Sequence, residues 1–314
     1  MRTTACPAIS VVVPLYNKAP YVEKAIASVL SSGENIHEVV VVDDGSTDDG
    51  PEVVSRIRDA RVKLVRQSNQ GVSAARNRGI REASGDFIAF LDADDYWLPE
   101  YIPQIVALIR AYPQCGMFAT RYFSFDETGW TEVAPVGGVD TSGAPHVVLR
   151  FFEAWARGNI FCTCSVVIPR SIFFDYDIFF PVNESLGEDQ DVWFRIAERF
   201  PVAYSARPLV GYRRGLFPSL SKAETEADLP PFISRLKKRY DANEIPAQHR
   251  KGIERLVGHH QLMLASRFLY RSAWAHSICL LFNRFSIQKP RFWLKIFLAA
   301  CLPKPIRVHL LKKV

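Results

Sequence analysis

A short apolar run, Phe87-Ile88-Ala89-Phe90-Leu91, ends abruptly in Asp92-Ala93-Asp94-Asp95. Asp92 and Asp94 offer hard oxygen donors at a spacing from which one or both can reach a single divalent cation. Mg²⁺ or Mn²⁺ held by one or two carboxylates and completed by substrate phosphates is the usual use of such a pair. The same acids could instead cap the following helix, with Pro99 as its first-turn proline, and the motif alone is compatible with both. A second acidic group, Asp43-Asp44-Gly45-Ser46-Thr47-Asp48, follows the apolar Val39–Val42. A third, Gly187-Glu188-Asp189-Gln190-Asp191, opens a helical pattern whose apolar stripe is Val192, Trp193, Ile196 and Phe200. Asp189 lies on that stripe at the preceding turn. A carboxylate pointing inward at a helix mouth is placed to accept a proton from a bound hydroxyl. Asp191 and Arg195, by contrast, read as an i,i+4 ion pair, and acids at a helix start suit the macrodipole.

The elements that must carry these acids follow from the apolar pattern. Ile9–Val13 is a β-branched run expected to stop at Pro14, which cannot continue a central ladder. After the loop Leu15-Tyr16-Asn17, the positions Tyr21, Val22, Ala25, Ile26, Val29 and Leu30 recur at helical spacing, and Gly33 closes the helix. Val39–Val42 and Val62–Val65 repeat the strand. A helix through Val72, Ala75, Gly79 and Ile80 leads to the strand before Asp92. Strands alternating with helices predict right-handed βαβ units and a parallel sheet. The loops at Pro14–Asn17, Asp43–Ser46 and Asp92–Asp94 should then face one crevice at the carboxyl edge, where open α/β sheets bind ligands.

Further on, a helix carries Ile102, Ile105, Val106 and Ile109, with Pro103 obscuring its start. Cys115–Phe125 and Trp130–Pro135 read as strands around the Asp126–Gly129 turn, so the sheet gains antiparallel members. Val136–Pro145 is a Gly-rich loop, Val147–Ala156 a helix and Ser165–Ile168 a strand. Six scattered cysteines and no cleavable signal-peptide pattern fit reduced thiols in a cytoplasmic protein. Cys162-Thr163-Cys164 lacks the second pair that a zinc site needs and reads as strand packing. No window reaches the roughly 18 to 20 apolar residues of a membrane span.

Taken together, Ser10–Asn17, Val42–Asp48, Gly71-Val72-Ser73-Ala74-Ala75-Arg76-Asn77, Phe90–Asp95 and Gly187–Asp191 resemble, in order, the motifs of inverting family 2 glycosyltransferases of the bacterial polysaccharide type. The resemblance runs from Ile9 to Lys222. Tyr212-Arg213-Arg214 followed by Ser219-Leu220-Ser221 is similar, more loosely, to the family's closing segment. It implies an α/β GT-A (nucleotide-diphospho-sugar transferase) fold, a mostly parallel mixed sheet flanked by helices. It also implies that Pro14, Tyr16, Asn17 and Asp44 hold the nucleotide, Asp44 accepting a hydrogen bond from the base. Asp92 and Asp94 would serve the ribose, the diphosphate and a Mn²⁺ or Mg²⁺ ion, and Asp189 would be the catalytic base. Arg76, Arg213 and Arg214 are candidate phosphate ligands, with solvated surface as the alternative. The expected reaction moves a sugar from a nucleotide-sugar donor, a UDP-sugar foremost, to a hydroxyl of a saccharide or lipid-linked glycan acceptor. A nucleotidyltransferase acting on a sugar phosphate and a noncatalytic nucleotide-sugar-binding scaffold are the alternatives.

Charge divides the chain. Of the 39 Lys and Arg, 17 lie between Arg235 and Val314 against three acids, so the tail carries +14 and residues 1–234 carry −8. Apolar and aromatic residues interleave with the basic ones. The expected domains are residues 1–225, catalytic, and 226–314, a basic, amphipathic helical C-terminal region. Such a region fits an anionic membrane surface at the inner face of the cytoplasmic membrane. Packing as a helical appendage is the open alternative. Nucleic acid is not expected, since no binding motif accompanies the charge.

Overall fold

Contiguous apolar runs set the centre of the sheet, because only a strand covered on both faces can be apolar at successive positions. In the computed structural model, which describes residues 6–132, 136–184, 186–215, 228–270 and 273–302, β1 (Ile9–Leu15), β2 (Ile36–Asp44), β3 (Val62–Gln67) and β4 (Phe87–Phe90) are parallel, in the spatial order β3-β2-β1-β4. The helices α1 (Ala19–Leu30), α2 (Gly50–Ser55) and α3 (Val72–Glu82) form the crossovers. β1 does not stop at Pro14, which pairs with Val42. β4 accompanies β1 only as far as Val12, so on that side a residue without an N–H breaks no ladder bond.

The chain continues through β5 (Tyr96–Trp97), α4 (Tyr101–Ala111), β6 (Met117–Asp126), β7 (Gly129–Glu132), β8 (His146–Val147), α5 (Phe151–Trp155), a 3₁₀ turn at Thr163–Ser165, β9 (Val166–Pro169), α6 (Arg170–Asp175), α7 (Glu188–Ala197) and β10 (Val202–Arg213). β9 runs antiparallel to β4 and β6, and β10 runs parallel to β6, so the sheet is mixed beyond β4. α4 starts two residues after Pro99, with Pro103 in its first turn, where a missing N–H is tolerated. No side chain caps it, so helix capping by Asp94 and Asp95 is excluded.

Gly79 brings α3 directly onto β1, since a Cβ there would lie 2.2 Å from Val12 Cγ1. One turn earlier on the same helix, Arg76 is thereby carried into the buried region behind the strand ends.

The described residues fall into two compact units, one within 1–149 and 159–222, the other within 150–158 and 223–314. The first holds the sheet. The second contains α5, α8 (Pro231–Asp241), α9 (Ala247–Tyr270), α10 (Trp274–Leu281) and α11 (Pro290–Ala300). The predicted Val147–Ala156 helix is thus a two-residue strand followed by one short helix. Within the second unit, Leu262, Ala265 and Leu269 of α9 bury themselves against Leu281, Ile296 and Ala299, and Arg255 pairs with Glu153 of α5 at 2.7 Å. The boundary region 216–227, with Ser219-Leu220-Ser221, and residues 133–135 of the second predicted hairpin strand lie outside the described residues.

Candidate active site

The loops leaving β1 and β2 are tied to each other. Asn17 takes a left-handed conformation, φ 52°, a region an Asn side chain tolerates better than most. Its amide donates to Ser46 Oγ (3.2 Å), and its Oδ1 accepts from Thr47 N (2.8 Å). Asp48 reaches back to accept from Ala19 N at 2.8 Å, serving an orphan donor at the start of α1. Tyr16 lies in this same loop with its ring exposed, and Pro14 stands just before it near the end of β1.

Asp44 is buried at the end of β2. Its carboxylate accepts from Gln67 Nε2 (2.8 Å), Gln70 N (2.9 Å) and Gly71 N (2.8 Å). It therefore fixes the loop that starts α3. A carboxylate has about four lone-pair sites, so one more donor can still be accommodated.

Arg76 is the buried cation at the centre. Its two terminal nitrogens bond Asp92 Oδ1 and Glu188 Oε1, each at 2.9 Å. Burial works against its charge, but Asp92 and Glu188 overcome it and hold the guanidinium more firmly protonated than usual. For Glu188, burial and then the neighbouring Asp189 charge push the carboxyl up, only partly offset by Arg76.

Asp94 pairs with Lys18 at 2.6 Å. Asp95 is buried, accepting from Arg213 N and from the Cys164 thiol, both at 2.8 Å. Burial, then the Asp92 and Asp94 charges, push the Asp95 carboxyl well above its ordinary range. Arg213 also donates from Nε to the Asp94 carbonyl (3.2 Å) and lies over the rings of Tyr21 and Phe125, 4.6 Å from each. Arg214 donates its amide to Phe125 O.

Among the described residues, Asp92, Asp95 and Cys164 bring donor atoms within 4.8 Å of one another, and Asp94 does not join them. Cys164 and Asp95 already satisfy each other, and a thiol is a soft donor that Mg²⁺ and Mn²⁺ do not select. The hard set is Asp92 with Asp94. Both side chains are part-exposed, and two cations, Arg76 and Lys18, already stand against them. Oδ2 of Asp92 and Oδ1 of Asp94 make no hydrogen bond among the described residues. By donor type these oxygens suit a hard divalent ion.

Gly187, left-handed at φ 74°, turns the chain into α7. The inward position belongs to Glu188 and Asp191, both buried, whereas Asp189 is half-buried. Asp189 thus lies further out than its place on the apolar stripe predicts. Its Oδ2 accepts from Thr163 Oγ1 at 2.8 Å and its Oδ1 from Gln190 N at 2.7 Å. Asp191 and Arg195 pair at 3.0 Å, as their spacing predicts. Asp95 and Glu188 lie inside the quoted motifs and Thr163 and Cys164 inside the Cys162-Thr163-Cys164 run, but the sequence assigned none of them a place in the site, and Lys18 lies outside every motif. Each acts across at least 26 positions of chain, where local pattern carries no signal.

With this geometry in hand, the class is clear: a GT-A architecture with acidic loops at the carboxyl edge of its parallel strands. Residues 10–173 match the sequence pattern of Glycosyl transferase family 2, and the chain belongs to that family. EpsH of Bacillus subtilis, described as a glycosyltransferase, is 30% identical over 214 residues, 66% of this chain and 61% of EpsH. An uncharacterized glycosyltransferase of Rickettsia felis is 32% identical over 195 residues, 61% of this chain and 30% of its own length. The chain therefore spans less than two thirds of these relatives. The crystal structure of S. aureus TarS 1–349 in complex with UDP-GlcNAc shares the fold, with TM-score 0.69 at 17% identity over 98% of this chain and 90% of that 1–349 chain.

Proposed function

We propose that the chain is an inverting glycosyltransferase that moves a sugar from a nucleotide-diphosphate donor, a UDP-sugar, to a hydroxyl of a saccharide or lipid-linked glycan. The observation that carries this reading is the Arg76 bridge, which ties Asp92 of the donor loop to Glu188 beside Asp189. Acids for a nucleotide diphosphate and a carboxylate for a hydroxyl are thereby held on one buried frame. The TarS structures with UDP-GlcNAc and with UDP support a uridine donor.

Asp44 accepts from the base, residues 14–17 flank the nucleoside, and Asp92 and Asp94 would hold Mn²⁺ or Mg²⁺, whose charge would offset that of the diphosphate. Asp189 takes the proton of the acceptor hydroxyl as its oxygen attacks the anomeric carbon and the nucleoside diphosphate leaves. A single displacement with no protein nucleophile inverts the anomeric centre. Asp94→Ala should abolish the metal-dependent part of UDP affinity, because the diphosphate charge then goes uncompensated. Calorimetry with and without Mn²⁺ reads this, and an unchanged metal dependence would remove Asp94 from the metal site.

We also propose that the second unit docks on an anionic membrane surface at the cytoplasmic side. No helix of the described residues is long and apolar enough to cross a membrane. Trp274 and Ile278 of α10 and Phe282 at its C-cap, spaced four apart, are 39%, 47% and 65% exposed, and Leu294 and Leu298 of α11 are about half exposed. From Arg255 onward the chain has 11 Lys or Arg and no acid. Apolar side chains facing water amid an excess of positive charge, of which Glu153 and Asp241 offset Arg255 and Arg284, suit an anionic lipid interface, where each basic residue contributes roughly 1 kcal/mol. The protein should float with vesicles containing anionic lipid and be released by raised salt, since the attraction decays over about 8 Å at physiological ionic strength. Ile278→Glu with Leu294→Glu should weaken flotation without changing donor hydrolysis. Indifference of the wild-type chain to anionic vesicles at low salt would make this region a structural appendage.

A further inference from the structure

The Cys162–Ser165 turn touches both halves of the site. Thr163, itself buried, donates its hydroxyl to Asp189 Oδ2 at 2.8 Å. The next residue, Cys164, donates its thiol to Asp95 Oδ2 at 2.8 Å and accepts from Asp92 N at 3.3 Å. The turn itself is rigidly closed. Ser165 Oγ accepts from Cys162 N (3.2 Å) and donates to Cys162 O (3.0 Å), while Trp97 Nε1 holds Cys164 O at 2.8 Å.

From this arrangement we propose that Thr163 is a positioning residue for the transfer step. It fixes the Asp189 carboxylate at a set distance from the acids that hold the departing diphosphate. The inference rests on Asp189 being the base. Asp189 Oδ1 is bonded by the amide of the adjacent residue Gln190, which constrains one oxygen, and Thr163 supplies the second point that stops the carboxylate turning about its χ2 axis. Rotation of that group moves the proton-accepting lone pair off the line to the acceptor oxygen. A misplacement on the order of 1 Å in a catalytic group costs about 10²-fold in rate. Thr163 makes no contact with Asp44, Asp92 or Asp94 through its hydroxyl, so donor affinity should be insulated from its loss.

The test compares Thr163→Val, Thr163→Ser and Asp189→Asn in turnover of a UDP-sugar and in UDP affinity by calorimetry with Mn²⁺. Thr163→Val, nearly isosteric but without the hydroxyl, is expected to lower kcat about 10- to 100-fold. Donor KM and UDP affinity should stay within about threefold of wild type, and Thr163→Ser should restore most of the turnover. Added to Asp189→Asn, Thr163→Val should cost nothing further, because both act through one carboxylate. Should the valine variant fail to fold, Thr163→Ala makes the same comparison. Near-normal kcat in the valine or alanine variant beside an inactive Asp189→Asn overturns the role of Thr163 and leaves the base standing. Equal losses in the serine and valine variants, or a parallel loss of UDP affinity, show a packing role and overturn it too. Normal turnover in Asp189→Asn removes the base and this proposal with it.

Discussion

Asp189→Asn is expected to lower kcat by on the order of 10²-fold or more while UDP affinity stays near that of the wild-type chain. The amide matches the carboxylate in size; its Oδ1 can still accept from Gln190 N, and its Nδ2 can donate to Thr163 Oγ1 once that hydroxyl turns, so the helix start survives. What it loses is basicity. A hydroxyl with a pKa far above neutrality then attacks without a proton acceptor, and the loss falls on the chemical step rather than on donor binding. A nucleotidyltransferase on the same sheet would not require this residue, so the variant also separates the two enzyme classes. Steady-state kinetics paired with calorimetry decides it. Near-normal turnover would move the base to Glu188 or Asp191, although Glu188 is already engaged by Arg76 and Asp191 by Arg195.

Arg76→Met should be the most destabilising single change in the site. It leaves Asp92 and Glu188 without the cation they share, and stranding a buried charge by removing its partner costs about 3–5 kcal/mol. For a unit of this size that corresponds to a fall in Tm of roughly 10 °C. The pH dependence has a definite sign. Glu188 is already pushed up by burial and by Asp189, and without Arg76 its folded-state pKa rises further above the unfolded value. A carboxyl shifted that way favours the folded state below the unfolded pKa and loses that contribution as pH rises through the folded pKa. The deficit of the variant against wild type should therefore be smaller near pH 5 than near pH 8. Thermal melts across that range measure it, and an equal deficit at both ends would mean that the loss is one of packing.

The first half of the sheet was legible because buried parallel strands are written as unbroken apolar runs, and Ile9–Val13, Val39–Val42 and Phe87–Leu91 are such runs. Once these are strands, the acids behind them must lie at one edge. β10 escaped for the opposite reason. Arg207, Pro208 and Gly211 interrupt its pattern, and its pairing with β6 shifts register around Pro208. Pro14 misled because the rule against proline in a central ladder holds only where both neighbours are present. Within the site, residue types were readable, but partnerships were not. Lys18 finds Asp94 across 76 positions and Arg76 finds Glu188 across 112, and no local spacing encodes such pairs. Cys162-Thr163-Cys164 stood out by composition, yet its placement, one side chain on Asp189 and the next on Asp95, depends on where a 3₁₀ turn sits in three dimensions.

In the proposed function this sheet edge binds a nucleotide-sugar and breaks its glycosyl–phosphate bond. A panel of nucleotide-sugars in Mn²⁺, read by thermal stabilisation and by release of the nucleoside diphosphate, tests it most directly. A UDP-sugar is expected to raise the Tm of the wild-type chain and to be turned over, and Asp94→Ala to lose the metal-dependent part of the stabilisation. A panel in which no nucleotide-sugar stabilises the protein or releases its nucleotide, with Mn²⁺ present and the chain folded, would contradict it.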